Sequence, residues 1–249
     1  MSRAPNLQRA TARALAAEWR GRGIFCAKEV GRDSLVRSAG LVGVEWALQR
    51  MRTEGGGLSE WLSHEGSGVA TVVLGVLRAA ACQGRGIVLV EGAQPLFPPA
   101  WGASGIDAHA AAWIRPGSDQ ERYWAIEQAL RCKGVGGVMA WVNRIPERSM
   151  RRLQLAAEQG GGQGFLIRPV EARREKCWGD VRFLVHPRPS EKSDLRDGRR
   201  RLEIEVLAGR GGIAAAGESA LAEICDATGA VRLVSPVADP TALRRPARA

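Results

Sequence analysis

The stretch GGGLSEWLSHEGSGVATVVLGVLRAAA, residues 55–81, decides how the chain is read. LSEWL (58–62) has the length of a short strand, SHEGSG (63–68) is a turn, and VATVVLGVLRAAA (69–81) is an apolar run of helical length. Strand, glycine turn and helix in that order have the geometry of a phosphate-binding loop. In such a loop glycines let backbone N–H groups approach a phosphate, a lysine reaches the terminal phosphates and a hydroxyl holds the magnesium. Here the turn runs Ser63, His64, Glu65, Gly66, Ser67, Gly68, Val69, Ala70, Thr71. The flexible Gly-Ser-Gly is present, but Val69 stands at the lysine position and Ala70 at the magnesium-hydroxyl position. Tight ATP·Mg binding and hydrolysis are therefore not expected. Two readings of the turn stay open: a plain turn before a helix, or weak anion binding by its N–H groups.

Working outward, LVGVEWALQRM (41–51) is a helix with Leu41, Val44 and Leu48 on one face, stopped by Glu54, Gly55, Gly56 and Gly57. Residues 3–20 read as an Ala/Arg-rich helix, and 21–39 are basic without a clear period. Downstream, IVLVEG (87–92) is a buried strand, and the prolines of 95–99 force a loop. QERYWAIEQALRCK (120–133) is a helix whose start carries a capping box, Ser118 with Glu121. GGVMAWV (136–142) is the next buried strand. ERSMRRLQLAAEQ (147–159) is a helix with Met150, Leu153 and Ala157 inward and Arg151 and Arg152 outward. GFLIRP (164–169), DVRFLVHP (180–187) and RRLEIEVLAG (200–209) are strands, the last alternating as a half-exposed edge would, and VRLV (231–234) is a further strand candidate. The ending PTALRRPARA is expected to be disordered.

Alternating strands and helices imply an α/β fold with a mostly parallel sheet covered on both faces, and the run of strands near the end implies an antiparallel extension. The expected organisation is a helical, basic segment over 1–39, a core over 40–213, and an Ala/Gly/Pro-rich, partly disordered tail over 214–249.

The sequence offers little chemistry. Five scattered cysteines and three dispersed histidines make neither a disulfide framework nor a metal-ligand cluster. No nucleophile elbow and no GxGxxG occurs, and Trp141-Val142-Asn143 ends its strand without an acid. Glu91 closes the strand at 87–90 without an activated partner and is read as a scaffold carboxylate. The expectation is a protein that is not an enzyme and has no cofactor or metal. The arginine-rich start is not a secretory signal, and the apolar run 69–82 is too short to span a bilayer, so a cytoplasmic protein is expected.

The net charge of +10 raises the expectation of a polyanionic partner. Two clusters carry it. The loop 168–178 holds Arg168, Arg173, Arg174 and Lys176, read either as a DNA or partner contact or as a solvated hairpin diluted by Glu171 and Glu175. Arg199, Arg200 and Arg201 form the second, read either as a contact or as the charge that protects an edge strand. Most of the eight tryptophans are expected in the core or at partner interfaces.

GLVGVEWAL and GGGLSEWLSHEGSG (40–48 and 55–68) resemble the entry to the RecA core. YWAIEQALRCKGVGGVMAWV (123–142) followed by RRLQLAAEQGGGQGFLIRP (151–169) resembles the ImuA family, RecA/SulA-like accessory proteins of bacterial error-prone translesion synthesis. The motif residues are Trp124, Glu127 and Gln128 in the EQALR helix, Trp141 in the strand where RecA-type ATPases carry an acid, and Arg151, Arg152 and Gln154 in the RRLQLAAE helix. RRLEIEVLAGRGG (200–212) is similar to that family's last core strand, and residues 214–249 lie outside the resemblance. The resemblance implies a RecA-like core with a degenerate phosphate-binding loop and a non-catalytic adaptor of the DNA-damage (SOS) response. The implied partners are a Y-family-like polymerase subunit, an error-prone replicative-type DNA polymerase and RecA, with weak DNA binding besides. The alternative is a SulA-like regulatory binder of the cell-division machinery.

Overall fold

The computed structural model describes residues 56–81, 85–92, 111–190, 198–209, 216–226 and 228–234, with single positions at 44, 48, 102, 105 and 106. Contacts divide the chain into Met1–Arg37 and Ser38–Ala249. The first unit, and with it the helix expected over 3–20, lies outside the described residues, as do the loop at 95–99 and the chain end.

Among the described residues, nine strands form one mixed sheet with three helices. In chain order these are β1 (Gly57–Ser63), α1 (Val69–Ala81), β2 (Gly86–Val90), β3 (Ala111–Ile114), α2 (Asp119–Arg131), β4 (Val135–Trp141), α3 (Glu147–Gly160) and β5 (Gln163–Pro169). A 3-10 turn (Val170–Arg174), β6 (Val181–Arg188), β7 (Arg199–Gly209), β8 (Ser219–Cys225) and β9 (Val231–Val234) follow. The sheet order is β3-β2-β4-β5-β1-β6-β7-β8-β9. All pairs from β3 to β6 are parallel, and those from β6 to β9 are antiparallel. The expected parallel sheet with an antiparallel extension is what forms.

Alternation along β1 separates the two cores. Trp61 joins α1 (Val69, Val72, Val73, Leu77) and Phe165 and Phe183 of the flanking strands on one face. Val44 and Leu48, both helical, pack into this core too, as their spacing predicts. Leu58 joins α2 and α3 (Ile126, Leu130, Met150, Leu153) on the other face. Two glycines let helices approach this closely. A Cβ on Gly137 of β4 would lie 2.1 Å from the Leu77 side chain of α1, and one on Gly160 of α3 would lie 1.9 Å from the Leu130 carbonyl of α2.

Four features depart from the sequence reading. RRLEIEVLAG is not an edge: β7 lies between β6 and β8, and its alternation arises because Leu202, Ile204 and Val206 face the α1-side core while Arg201, Glu203 and Glu205 face the other way. β3 lies in a stretch for which the sequence suggests no element and β8 in the stretch expected as an Ala/Gly/Pro-rich tail; β8, with the expected strand β9, carries the sheet beyond residue 213. The loop after β5 is not a hairpin, because β5 and β6 both run parallel to β1, which lies between them. Residues 170–180 are instead a crossover along one face of β1. Finally, the capping box is half present. The Ser118 hydroxyl accepts the Glu121 N–H at 3.2 Å, but the Glu121 carboxylate accepts the amide of Gly117 rather than that of Ser118. Replacing Ser118 with alanine removes the N-cap acceptor and is expected to lower stability by ~1 kcal/mol, read as a shift in the urea midpoint; an unshifted midpoint would show that the Gly117 bond alone holds the helix start.

Candidate functional site

The β1–α1 turn depends on Gly66 (φ +71°) and Gly68 (φ +84°), both in the left-handed region. Several hydrogen bonds close the turn and start α1. Ser67 donates to the His64 carbonyl at 3.3 Å, Val69 donates to the buried Ser67 hydroxyl at 3.4 Å, and Thr71 and Val72 donate to the Gly68 carbonyl. Val69 is buried in the α1-side core, so the position that would carry a lysine packs instead. Ala70 is half-buried against the same core, while Glu65 is exposed. A cation nevertheless stands nearby: Arg200 of β7, paired with Asp226 at 2.6 Å, places Nη1 3.5 Å from where a Cβ on Gly68 would lie.

The ends of β4 and β2, two and three strands away from β1, are structural. Glu91 is buried and ion-paired to Arg115 at 2.6 Å, and its backbone carbonyl accepts the Arg122 side chain. Trp141 is half-buried in the α1-side core and packs on Gly92, where a Cβ would lie 2.5 Å from its own. Among the described residues no group of three or more His, Cys, Asp or Glu could hold a metal ion. No helix there is long and apolar enough to cross a membrane.

The most elaborate polar cluster is one the sequence reading missed. Glu60, in the middle of β1, is completely buried. Its carboxylate accepts Arg168 Nη1 and Arg182 Nη2, each at 2.8 Å, and the amides of Trp178 and Gly179 at 3.0 and 3.1 Å. Arg182 also donates to the carbonyls of Ala172, Glu175 and Lys176, and Arg168 to the Asn143 carbonyl and the Glu175 carboxylate. Burial pushes the Glu60 pKa up. The charge of Arg182, the Arg168 hydrogen bond and the two amides outweigh it and hold it below the usual carboxylate value. The cluster clamps the 170–180 crossover onto β1. Cys177, half-buried on that crossover, is a poor nucleophile: desolvation and the nearby Glu60 charge push its pKa up to about 11. The signal is present in the sequence: one acid and two arginines sit inside apolar strands, at LSEWL, FLIRP and DVRFLV.

Arg168, expected with Arg173, Arg174 and Lys176 at a DNA or partner contact, is not a surface cation: it is 2 % exposed and cannot meet DNA or a partner without the clamp opening. Arg173, Arg174 and Lys176 are exposed; Arg173 lies 4.0 Å from Glu205 of β7, and Lys176 stacks 4.1 Å over the Trp178 ring. Arg199 is exposed and Arg201 pairs with Glu223 of β8 at 3.5 Å. Residues 199, 201 and 205 share a face of β7, so the structure brings most of the two basic clusters to one side of the sheet, with Arg200 on the other, beside the glycine turn.

The motif residues of α2 and α3 also come together. Glu127 is buried and bridges Arg131 of its own helix at 2.7 Å and Arg152 of α3 at 2.5 Å. Trp124, Gln128 and Arg151 are exposed on the same pair of helices, and Gln154 is half-buried.

No known protein-family profile matches the chain. The chain is similar to the cell division inhibitor SulA of Yersinia pestis (strain Pestoides F) and of Yersinia pseudotuberculosis (serotype O:1b, strain IP 31758). Each is 28% identical over 119 residues, 47% of this chain and 71% of the relative. Among solved structures, SulA from Pseudomonas aeruginosa gives a TM-score of 0.40 at 19% identity, covering 45% of this chain and 97% of that one. The relatives are named as inhibitors, which agrees with the expectation that the chain is not an enzyme. The finer ImuA resemblance stays an inference from the motifs alone.

Proposed function

We propose that this chain is a non-catalytic, protein-binding regulator of bacterial cell division, acting by occupying a partner and not by turning over a substrate. The observation that carries this reading is the similarity to SulA, a cell division inhibitor, over 119 residues. The chemistry agrees: the turn after β1 has a valine packed into the core where a phosphate loop needs its lysine, and Glu91 is tied up by Arg115. On this reading the sheet is a RecA-like core whose phosphate loop is degenerate and serves as a helix-starting turn. The test is expression in dividing bacteria, scored by cell length. Filaments support the proposal, and normal septation at full expression removes it.

The second reading is an adaptor of error-prone translesion synthesis that binds a Y-family-like polymerase subunit, an error-prone replicative-type polymerase or RecA. It is favoured by the gathering of Trp124, Glu127, Arg151 and Arg152 on one two-helix face. A deletion strain that divides normally but loses damage-induced mutagenesis supports this second reading against the first.

Either regulator would bind DNA weakly through the sheet face that carries Arg173, Arg174, Lys176 and Arg199. Non-specific affinity of ~10⁻⁴ to 10⁻⁶ M at physiological salt is expected, with a log–log salt slope of about −0.7 per phosphate contact on single strands. The triple alanine variant at 173, 174 and 176 should bind more weakly on all sequences and show a flatter slope. An unchanged salt titration would assign those cations to a protein partner.

A further inference from the structure

Single exposed apolar side chains are ordinary on a folded domain, whereas neighbouring ones rimmed by charged groups mark an interaction surface. Among the described residues the exposed large apolar ones are Trp113, Trp124 and Leu155, and two of these three stand on one surface. Trp124 of α2 is 61 % exposed and Leu155 of α3 is 46 % exposed. Arg152 of α3 reaches across to Glu127 of α2, and the close approach of Gly160 to the Leu130 carbonyl sets the register of the two helices. Trp124 lies six residues before that contact on α2 and Leu155 five residues before it on α3. The two apolar groups thus stand at nearly the same height, one on each helix, about one interhelix spacing of ~8–10 Å apart. Arg131, Arg148, Arg151 and Arg152 stand around them, all exposed.

The acids nearby do not cancel these arginines. Glu127 lies beneath them, shared by Arg131 and Arg152. In the first turn of α2, Asp119 is paired to Arg122, and Glu121 is turned back to the Gly117 amide. Glu147 and Glu158 stand at the two ends of α3. Arginine and tryptophan are the side chains that dominate binding energy at protein interfaces. Arginines flanking two apolar anchors are complementary to a helix that carries carboxylates beside two apolar residues.

We propose that the outer face of α2 and α3 is a docking surface for an acidic, amphipathic helical segment of a protein partner. The proposal rests on reading the chain as a protein-binding regulator and names the surface it uses. Trp124 and Leu155 anchor the segment's apolar residues, and Arg148 and Arg151 meet its carboxylates. Tryptophan and leucine are poor partners for a phosphate backbone, which favours a peptide over nucleic acid here.

The probe is a fluorescein-labelled amphipathic peptide with two leucines two helical turns apart and glutamates between and beside them, titrated with the full chain and followed by anisotropy. Trp124→Ala is expected to weaken binding at least about tenfold. The double variant Arg148→Glu with Arg151→Glu is expected to release this peptide and to bind its lysine-for-glutamate counterpart. All three side chains are exposed, so the variants should melt with the parent; Leu155→Glu replaces any that does not. Unchanged peptide affinity in the variants, or no gain of the lysine peptide, overturns the proposal. So does preferential protection of α2 and α3 by a single-stranded oligonucleotide, or a dimer that Trp124→Ala dissociates. The division assay separates the two claims. If Trp124→Ala loses the peptide yet blocks division like the parent, the surface is wrong and the regulatory reading stands. If the parent docks the peptide but never affects division, the surface stands and that reading falls.

Discussion

Replacing Glu60 with glutamine is expected to lower stability by about 3–5 kcal/mol, because it removes the carboxylate from between two buried guanidinium groups. A domain has roughly 5–15 kcal/mol in total, so the variant should sit near or beyond the limit of folding. Arg168 keeps Glu175, but Arg182 keeps only backbone carbonyls, and the glutamine amide would point donors at donors. The pH dependence follows from the lowered pKa. The carboxylate's contribution is fully present above its unfolded pKa of about 4.3 and is lost as pH falls through the lower folded value. The parent should lose stability steeply below about pH 4.3, and the glutamine variant should lose less over the same interval. Denaturant midpoints measured at neutral pH and at successively lower pH test both statements. A glutamine variant with the parent's neutral midpoint would show that the clamp contributes nothing.

Truncating Trp61 to alanine should be as severe, about 3–5 kcal/mol, for a different reason. Trp61 neighbours Glu60 on β1 but points to the opposite face, where it is completely buried against Phe183 at a centroid distance of 4.5 Å. Its Nε1–H donates to the Ser59 hydroxyl at 2.9 Å, which in turn donates to the Gly164 carbonyl. Alanine leaves a cavity between sheet and α1 that two flanking strands cannot close. Trp61→Phe keeps most of the packing and forfeits one hydrogen bond, so it should lie between the two in thermal and denaturant unfolding. An alanine variant as stable as the phenylalanine one would mean that the site collapses without loss.

The strands and helices with strong local signals were legible. LSEWL and VATVVLGVLRAAA lie where their hydrophobic patterns place them, and α2 and α3 follow from a 3.6-residue period with polar outer faces. What failed were segments whose stability is tertiary. SALAEIC buries Ala220, Ala222 and Ile224 at a period of two, but alanine has little strand preference, and the segment reads as an Ala-rich tail. AAWI is too short to stand out. Strand order is not written locally at all, so a crossover and a hairpin after β5 looked alike. The same gap hid the clamp: Arg168 looked like its neighbours Arg173 and Arg174, and only the placement of β1 between β5 and β6 shows that it turns inward to Glu60. The outward residues of α2 and α3 were legible as a motif, but not as a surface, because their juxtaposition depends on how the two helices lie side by side.

The position of β1 also governs when the chain can fold. Its hydrogen-bonded neighbours come late: Ser59 reaches Gly164, 105 residues on, and Glu60 reaches Arg182, 122 residues on. At a synthesis rate of ~5–20 residues per second, β1 leaves the ribosome roughly 5–20 s before the first of them exists. During that interval the indole of Trp61 and the carboxylate of Glu60 both lack their final surroundings. High contact order of this kind slows folding and keeps a sticky strand on offer to other chains. A ribosome stalled before residue 163 therefore holds a nascent chain that chaperones should recognise through β1, whereas one stalled only after β6 has cleared the exit tunnel should release them.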